Sequence, residues 1–272
     1  MHRSAPGART LTRPDSRNRF GDSAGRPDVR MRSISVIIPT LNEEKLLERM
    51  LCQFPRTLLN RYQAEVVVSD GGSTDRTLEI ARRHTDSVIS NPQGVKQTIS
   101  IGRNVGARHS SGDILVFLNA DTLVKDPAFF FETIRREIDS EGIAALTCSV
   151  EVYPDERRWI DGAFHGFYNW FFYMMNRVGM GMGRGECHIM TREVFEGVHG
   201  YADRIAAGED YDMFRRLVRV GRVRFLRELV VYESPRRYRR YGYAFVTLSW
   251  FFNFLAVFFL HRSILSEWKP VR

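Results

Sequence analysis

The chain has 272 residues, room for one large domain or one domain with an appendage, and its 43% hydrophobic content is ordinary for a globular protein. A formal charge of +8 and a pI near 9.7 point to an anionic partner without choosing among nucleic acid, phosphorylated substrate and membrane surface. Three widely spaced cysteines (Cys52, Cys148 and Cys187) support neither a zinc site nor a disulfide framework, and they fit a reducing compartment.

Residues 1–30 are rich in Arg, Pro, Gly and Ser and hold no apolar stretch, so we expect a disordered basic arm and no secretory signal. A contact of this arm with nucleic acid or lipid competes with a simpler reading, in which Met31 is the true start. Ile34–Ile38 is an apolar run expected to be a strand, and residues 43–53 follow with helical spacing at Leu46, Leu47, Met50 and Leu51. Glu65–Ser69 reads as a second strand, residues 74–83 as an amphipathic helix, and Ser87–Ser90 as a short strand. Residues 98–109 predict a helix and Ile114–Leu118 a central strand. Asp126-Pro127 then supplies an N-cap and first-turn proline for a helix running to Ile138. Strands that are apolar on both faces, alternating with helices, predict an α/β fold: a mostly parallel sheet flanked by helices.

The second half is less regular. Ile143–Val152 predicts one or two strands, residues 209–220 a helix opened by Gly208, and Val223–Tyr232 a strand. Between them, residues 159–182 are crowded with aromatics and methionines. Four arginines (Arg236, Arg237, Arg239 and Arg240) precede an uncharged segment, Tyr243–Leu260. The domain plan is an arm (1–30), a main domain (31–235, halves 31–125 and 126–235) and a basic, hydrophobic tail (236–272).

In open parallel sheets, ligands bind beyond the carboxyl ends of the strands. Here the strands end in Pro39-Thr-Leu-Asn-Glu43, Asp70-Gly-Gly-Ser-Thr-Asp75 and Asn119-Ala-Asp121, and right-handed crossovers bring all three to one edge. Carboxylates crowded together repel unless a cation or donor groups offset them. A hard divalent ion is the simplest offset, and such ions bring phosphates with them. Taken singly, Glu43 suits a helix start and Asp70 a tight turn. Asp121 is harder to explain as a turn residue, because Asp126 already caps the following helix.

These segments resemble glycosyltransferase family 2, whose members have the GT-A fold. The resemblance rests on Ile34–Glu43, Val68–Asp75, Gly102-Arg-Asn-Val-Gly-Ala107, Phe117–Thr122 and Gly208-Glu-Asp-Tyr-Asp212, in the family's order and approximate spacing over roughly residues 33–235. It implies transfer of a sugar from a nucleotide-diphosphate donor, with a uridine diphosphate sugar favoured, to a hydroxyl acceptor that is lipid-linked or part of a cell-envelope glycan. Asp121 matches the metal-binding end of the family's D-x-D motif and would hold Mg²⁺ or Mn²⁺. Asn119 stands where the first Asp is usual and would contact ribose or metal-bound water. Pro39, Thr40, Glu43, Asp70, Arg103 and Asn104 match positions around the nucleotide. Asp210 is implied as the general base of an inverting reaction, with Glu209 positioning the acceptor or the base. The family's Q-x-x-R-W signature is missing. The four arginines near its place suit a diphosphate and equally suit anionic lipid headgroups.

Tyr243–Leu260 would be about 27 Å long as a helix, at roughly 1.5 Å per residue. That is near the lower limit for crossing a bilayer, and Thr247, Ser249 and Asn253 weaken the case. It could span, lie in the interface or pack in a homodimer, and residues 159–182 could be a second interfacial surface or an acceptor-domain core. The charge bracketing it places the enzyme on the cytoplasmic side of the cell membrane. Nucleic acid is not the expected partner. A non-catalytic nucleotide-sugar binder is the main alternative. A nucleotidyltransferase is disfavoured because the loop after the first strand lacks the glycines and cation that hold a triphosphate.

Overall fold

The computed structural model describes residues 2, 31–92, 97–205 and 207–260, with side chains up to Ala256. Apart from His2, the basic arm expected at residues 1–30 lies outside the described residues, as does the tail beyond Leu260.

The first half alternates as its sequence predicts. Strand β1 (Ile34–Thr40) leads through helices α1 (Leu47–Cys52) and α2 (Arg56–Arg61) to β2 (Ala64–Asp70). Helix α3 (Thr77–His84), β3 (Ser87–Ser90), α4 (Ile99–Arg108), β4 (Ile114–Leu118), a two-residue β5 (Leu123–Val124) and α5 (Pro127–Ile138) follow. The helix expected from residue 43 begins later, because residues 43–46 form a turn in which the Glu43 carbonyl accepts from the N–H of Leu46 and of Leu47. As expected, the Asp126 side chain caps α5, accepting from the Phe129 N–H at 3.0 Å.

The second half holds β6 (Ile143–Val152), α6 (Trp159–Arg177), β7 (Cys187–Thr191), α7 (Arg192–Gly197), α8 (Glu209–Leu217), β8 (Arg222–Glu233), α9 (Arg236–Tyr241) and α10 (Tyr243–Leu260). Among the described residues the strands form one sheet in the order β3-β2-β1-β4-β7-β6-β8-β5. From β3 to β4 it is parallel, with Thr40 beside Asp70 at the far end, so the ends of β1, β2 and β4 share an edge. Beyond β4, β7 runs antiparallel to both neighbours, while β6 and β8 pair in parallel.

The sheet is covered on both faces, which explains its uninterrupted apolar strands. In β1, Val36 and Ile38 point into one core with Val116, Phe131 and Leu146. Ile37 points into the other with Phe117, Phe195 and Phe214. Each fully buried side chain of this kind contributes about 1.5–3 kcal/mol of transfer free energy. Helix α4 lies close on β1 through glycines: a Cβ at Gly106 would sit 2.4 Å from the Ile37 side chain, and one at Gly102 would sit 3.1 Å from Pro39. Those two glycines let α4 bring Arg103 to the crevice.

Two helices give the second half its character. The aromatic stretch is a single helix, α6, which buries Asp161, His165 and Phe172 and exposes Trp159, Phe167 and Trp170. Tyr243–Leu260 forms helix α10, which buries Val246, Asn253 and Ala256 and exposes Phe245, Leu248, Phe251 and Phe252. Among the described residues no helix is long and apolar enough to cross a membrane.

Candidate active site

A cavity of about 530 Å³ opens over the carboxyl ends of β1, β2 and β4. One wall is made by two loops stitched together. The Asp70 carboxylate accepts from the Thr40 hydroxyl (3.1 Å), the N–H groups of Gly72 (2.9 Å) and Ser73 (2.8 Å), and the Ser73 hydroxyl (2.5 Å). Gly72 adopts φ +93°, which lets the chain fold back over that carboxylate. The Asn42 N–H donates to the Ser73 hydroxyl at 2.8 Å, and its side-chain oxygen accepts from the Thr74 N–H at 2.7 Å. Asp70 is therefore only 1% exposed and directed into its own loop. The wall it builds is presented to the cavity by Pro39, Thr40, Gly71 and Gly72.

A second corner holds Asp121, Glu43 and an arginine from the far end of the chain. Arg236 Nη2 lies 2.9 and 3.0 Å from the two Glu43 carboxylate oxygens and 3.1 Å from Asp121 Oδ2. Desolvation pushes the Asp121 carboxyl above its ordinary range; Arg236 opposes this and Glu186 adds to it. Among the described residues no group of three or more His, Cys, Asp or Glu is placed to hold a metal ion. Yet the oxygens of Glu43 and Asp121 already surround a cationic nitrogen, and carboxylate oxygens are the hard donors that Mg²⁺ and Mn²⁺ take. The pair fits such an ion, with further ligands left to a bound phosphate.

The third corner is organised by Arg103, fully buried on α4. It donates to Glu209 Oε1 (2.8 Å), Asn119 Oδ1 (3.1 Å) and the Gly185 carbonyl (2.6 Å), and its guanidinium lies 5.1 Å from the Tyr201 ring centre. It thus ties the end of β4 to the start of α8 and the approach to β7. Gly208, at φ +79°, turns the chain so that Glu209 and Asp210 open α8 at the cavity wall. Desolvation and the charge of Glu209 push the Asp210 carboxyl up to about 8, against the Tyr211 N–H bond and the field of Arg103.

A fourth group is silent in the sequence reading. Arg184, 5% exposed, donates to Glu233, to His165 Nδ1 (2.9 Å) and to the Tyr238 hydroxyl (3.0 Å), and lies 3.3 Å from Glu186. Burial, with Arg184 beside it, lowers His165 to about 2, so the ring is neutral and accepts through Nδ1. Burial also raises Glu233 to about 8; Arg184 counters the rise and Glu186 reinforces it. With Phe172, Tyr211 and Trp250, the residues Arg184, Glu186, Glu233 and Tyr238 line the cavity on the side of α6 and α10, while His165 lies behind them. A charged pair spaced by glycines just before a strand (Gly183-Arg-Gly-Glu186) was the available signal.

The structure therefore gathers Pro39, Thr40, Glu43, Arg103, Asn119, Asp121, Glu209, Asp210, Arg236 and Arg237 around one cavity. Four expected residues lie outside its lining. Asp70 serves its loop; Asn104 is tied to the Tyr201 backbone and Asp203; Arg239 binds Asp161 and the Tyr243 hydroxyl; Arg240 is exposed.

A sheet whose parallel half carries an acidic crevice at these strand ends, closed by a mixed second half, is a GT-A-like fold. Residues 35–198 match glycosyl transferase family 2, and the chain belongs to that family. The succinoglycan biosynthesis protein ExoA of Rhizobium meliloti is 26% identical over 194 residues, 68% of this chain and 58% of that protein. The fold is shared with the mannosyltransferase PcManGT of Pyrobaculum calidifontis, solved with GDP-Man and Mn²⁺. The TM-score is 0.60 at 22% identity, over 76% of this chain and 58% of that one. It is also shared with glucosyl-3-phosphoglycerate synthase of Mycobacterium tuberculosis, solved with Mn²⁺, UDP and glucosyl-3-phosphoglycerate. There the TM-score is 0.54 at 21% identity, over 83% and 79% of the two chains. The chain spans from 20% to 58% of the length of the first curated relatives it matches.

Proposed function

We propose that this protein is a divalent-metal-dependent, inverting glycosyltransferase that moves a sugar from a nucleotide-diphosphate donor, a uridine diphosphate sugar by preference, to a hydroxyl acceptor. One observation carries the reading: the Glu43–Asp121 corner, which already holds a cation, lines the same cavity as Asp210, whose carboxyl is raised to about 8. A bound Mg²⁺ or Mn²⁺, held by Asp121 with Glu43, would supply charge neutralisation for the leaving diphosphate. Arg236 and Arg237 add cationic forks on the same side. Thr40, Pro39 and the Gly71–Gly72 backbone form the wall against the nucleoside. Asn119, its oxygen held by Arg103, faces the donor from the end of β4.

Asp210, when ionised, takes the proton of the acceptor hydroxyl as that oxygen bonds to the anomeric carbon and the bond to the diphosphate breaks. One displacement from the opposite side inverts the configuration. Arg103 keeps Glu209 in place beside the base, so Glu209 is a positioning residue. The Mn²⁺ and nucleotide named with the two solved relatives support the donor half of this reading.

The acceptor side favours an amphiphile. The wall made by Phe172 and Trp250 belongs to α6 and α10, whose opposite faces expose Phe167, Trp170, Phe245, Leu248, Phe251 and Phe252 beside the exposed Arg158, Arg177 and Arg240. Apolar faces of this extent, edged by cations, fit a lipid surface. We therefore carry a lipid-linked or cell-envelope acceptor, and attachment along the cytoplasmic side of the cell membrane, as part of the proposal.

The test is Asp210→Asn. Binding of UDP with Mn²⁺ should stay within about threefold of wild type, while UDP release from UDP-glucose, with water as surrogate acceptor, should fall by about 10²–10⁴-fold. Wild-type release from the variant would remove Asp210 from the base role.

A further inference from the structure

Arg236 stands at the junction of β8 and α9, just after Pro235, far along the chain from the two carboxylates it joins. Three carboxylate oxygens from two residues converge on its single Nη2 at 2.9–3.1 Å, and the side chains involved are mostly withdrawn from water: 24% exposed for Arg236, 13% for Glu43 and 21% for Asp121. Without a cation between them, Glu43 and Asp121 would face each other as unscreened like charges. A guanidinium in this place is a bridging counter-ion. A divalent ion bound by the same oxygens, at about 2.0–2.6 Å, would lie within repulsive reach of that nitrogen. The two cations are therefore mutually exclusive occupants. A displaced guanidinium needs another anion, and a planar fork matches a diphosphate.

We propose that Arg236 is the resident counter-ion of the Glu43–Asp121 pair and exchanges with the divalent ion when a donor diphosphate arrives to receive the guanidinium. Metal binding is then conditional on the donor, and the site resists loading by metal alone. The inference rests on the donor site proposed above and adds an order of events to it. Only the side chain has to move: rotation about its own bonds carries the guanidinium from the carboxylates toward the cavity that Arg236 itself lines.

The experiment measures Mn²⁺ affinity from the electron paramagnetic resonance signal of free Mn²⁺, with MnCl₂ alone and with MnCl₂ plus UDP. It compares wild type, Arg236→Gln and the double variant Arg236→Gln/Asp121→Asn. Arg236→Gln should bind Mn²⁺ without nucleotide about tenfold or more tightly than wild type, and should bind UDP more weakly in saturating Mn²⁺. The double variant should lose the gain in Mn²⁺ affinity. Equal Mn²⁺ affinities without nucleotide, in a wild type that still binds UDP with Mn²⁺, overturn the exchange and leave the donor site standing. A wild type that binds neither overturns both. Should Arg236→Gln fail to fold by its melting curve, Arg236→Met keeps the apolar stem and carries the same comparison.

Discussion

The Asp210 carboxyl is pushed up to about 8 by desolvation in the cavity wall and by the charge of Glu209 beside it. A carboxyl raised on folding stabilises the fold fully below its ordinary value of 3.8, and that contribution is lost as pH rises toward 8. The slope is at most about 1.4 kcal/mol per pH unit. With Asp210 as the proposed base, activity should run the other way, since only the ionised form accepts a proton. The kcat/KM for UDP-glucose hydrolysis should rise with pH and level off above roughly 8. In Glu209→Gln the rise should move to lower pH, because the neighbouring negative charge is gone. A profile that is flat between about pH 5 and 8 would contradict this placement of the base. At this scale the sequence was readable where a polar residue ends a buried strand, as at Asp121 and Thr40. It marked Asp70 as well, but not that Thr40, Gly72 and Ser73 occupy its carboxylate. Arg184 and Glu186 were marked only by the glycines beside them, because what surrounds them, Glu233, Tyr238 and His165, comes from distant parts of the chain.

Among the elements, α6 and α10 join the active site to the outer surface. Each turns a mostly aromatic face outward and contributes a ring to the cavity, Phe172 from α6 and Trp250 from α10. Trp250 also packs against Phe164 and Tyr168 of α6, so the two exposed faces are neighbours. Full-length protein should co-float with vesicles containing anionic phosphatidylglycerol. Phe245→Ser/Leu248→Ser/Phe252→Ser should weaken that binding by about tenfold or more, because three large apolar side chains no longer enter the interface. Unchanged flotation would remove this face from membrane attachment, and a dimer by light scattering with no flotation would make it a subunit interface instead. The periodicity of residues 159–177 was hidden because it is inverted: Asp161, His165 and Asn169 face inward while Trp159, Phe167 and Trp170 are exposed, and an apolar stripe facing the core is the signal that sequence reading depends on. Strand β7 was missed because its five residues include His188, a buried ring bonded to the Tyr201 hydroxyl at 2.6 Å, and only Ile189 and Met190 form an apolar run.

Over the whole molecule, the parallel half was legible in both elements and order, whereas in the mixed half β6, α8 and β8 were legible as elements but their pairing was not, for one physical reason. Parallel strands connected through helices are specified locally, by apolar runs alternating with helical periods. The pairing of β6, β7 and β8 joins segments far apart in sequence, with shifts of register that no local pattern records. What the second half adds is the other side of the cavity: Asp210 and Glu209 from α8, Arg236 and Arg237 from α9, and Trp250 from α10. The two sides of the cavity thus come from different halves of the chain. The proposed donor site requires that this cavity bind a nucleotide diphosphate together with a divalent ion. Melting temperature measured against UDP, GDP, ADP and CDP, each with and without Mn²⁺, tests it most directly. UDP should raise the melting temperature more in Mn²⁺ than without it, and Asp121→Asn should abolish the difference. No stabilisation by any nucleotide, or stabilisation indifferent to metal in both wild type and Asp121→Asn, would contradict it.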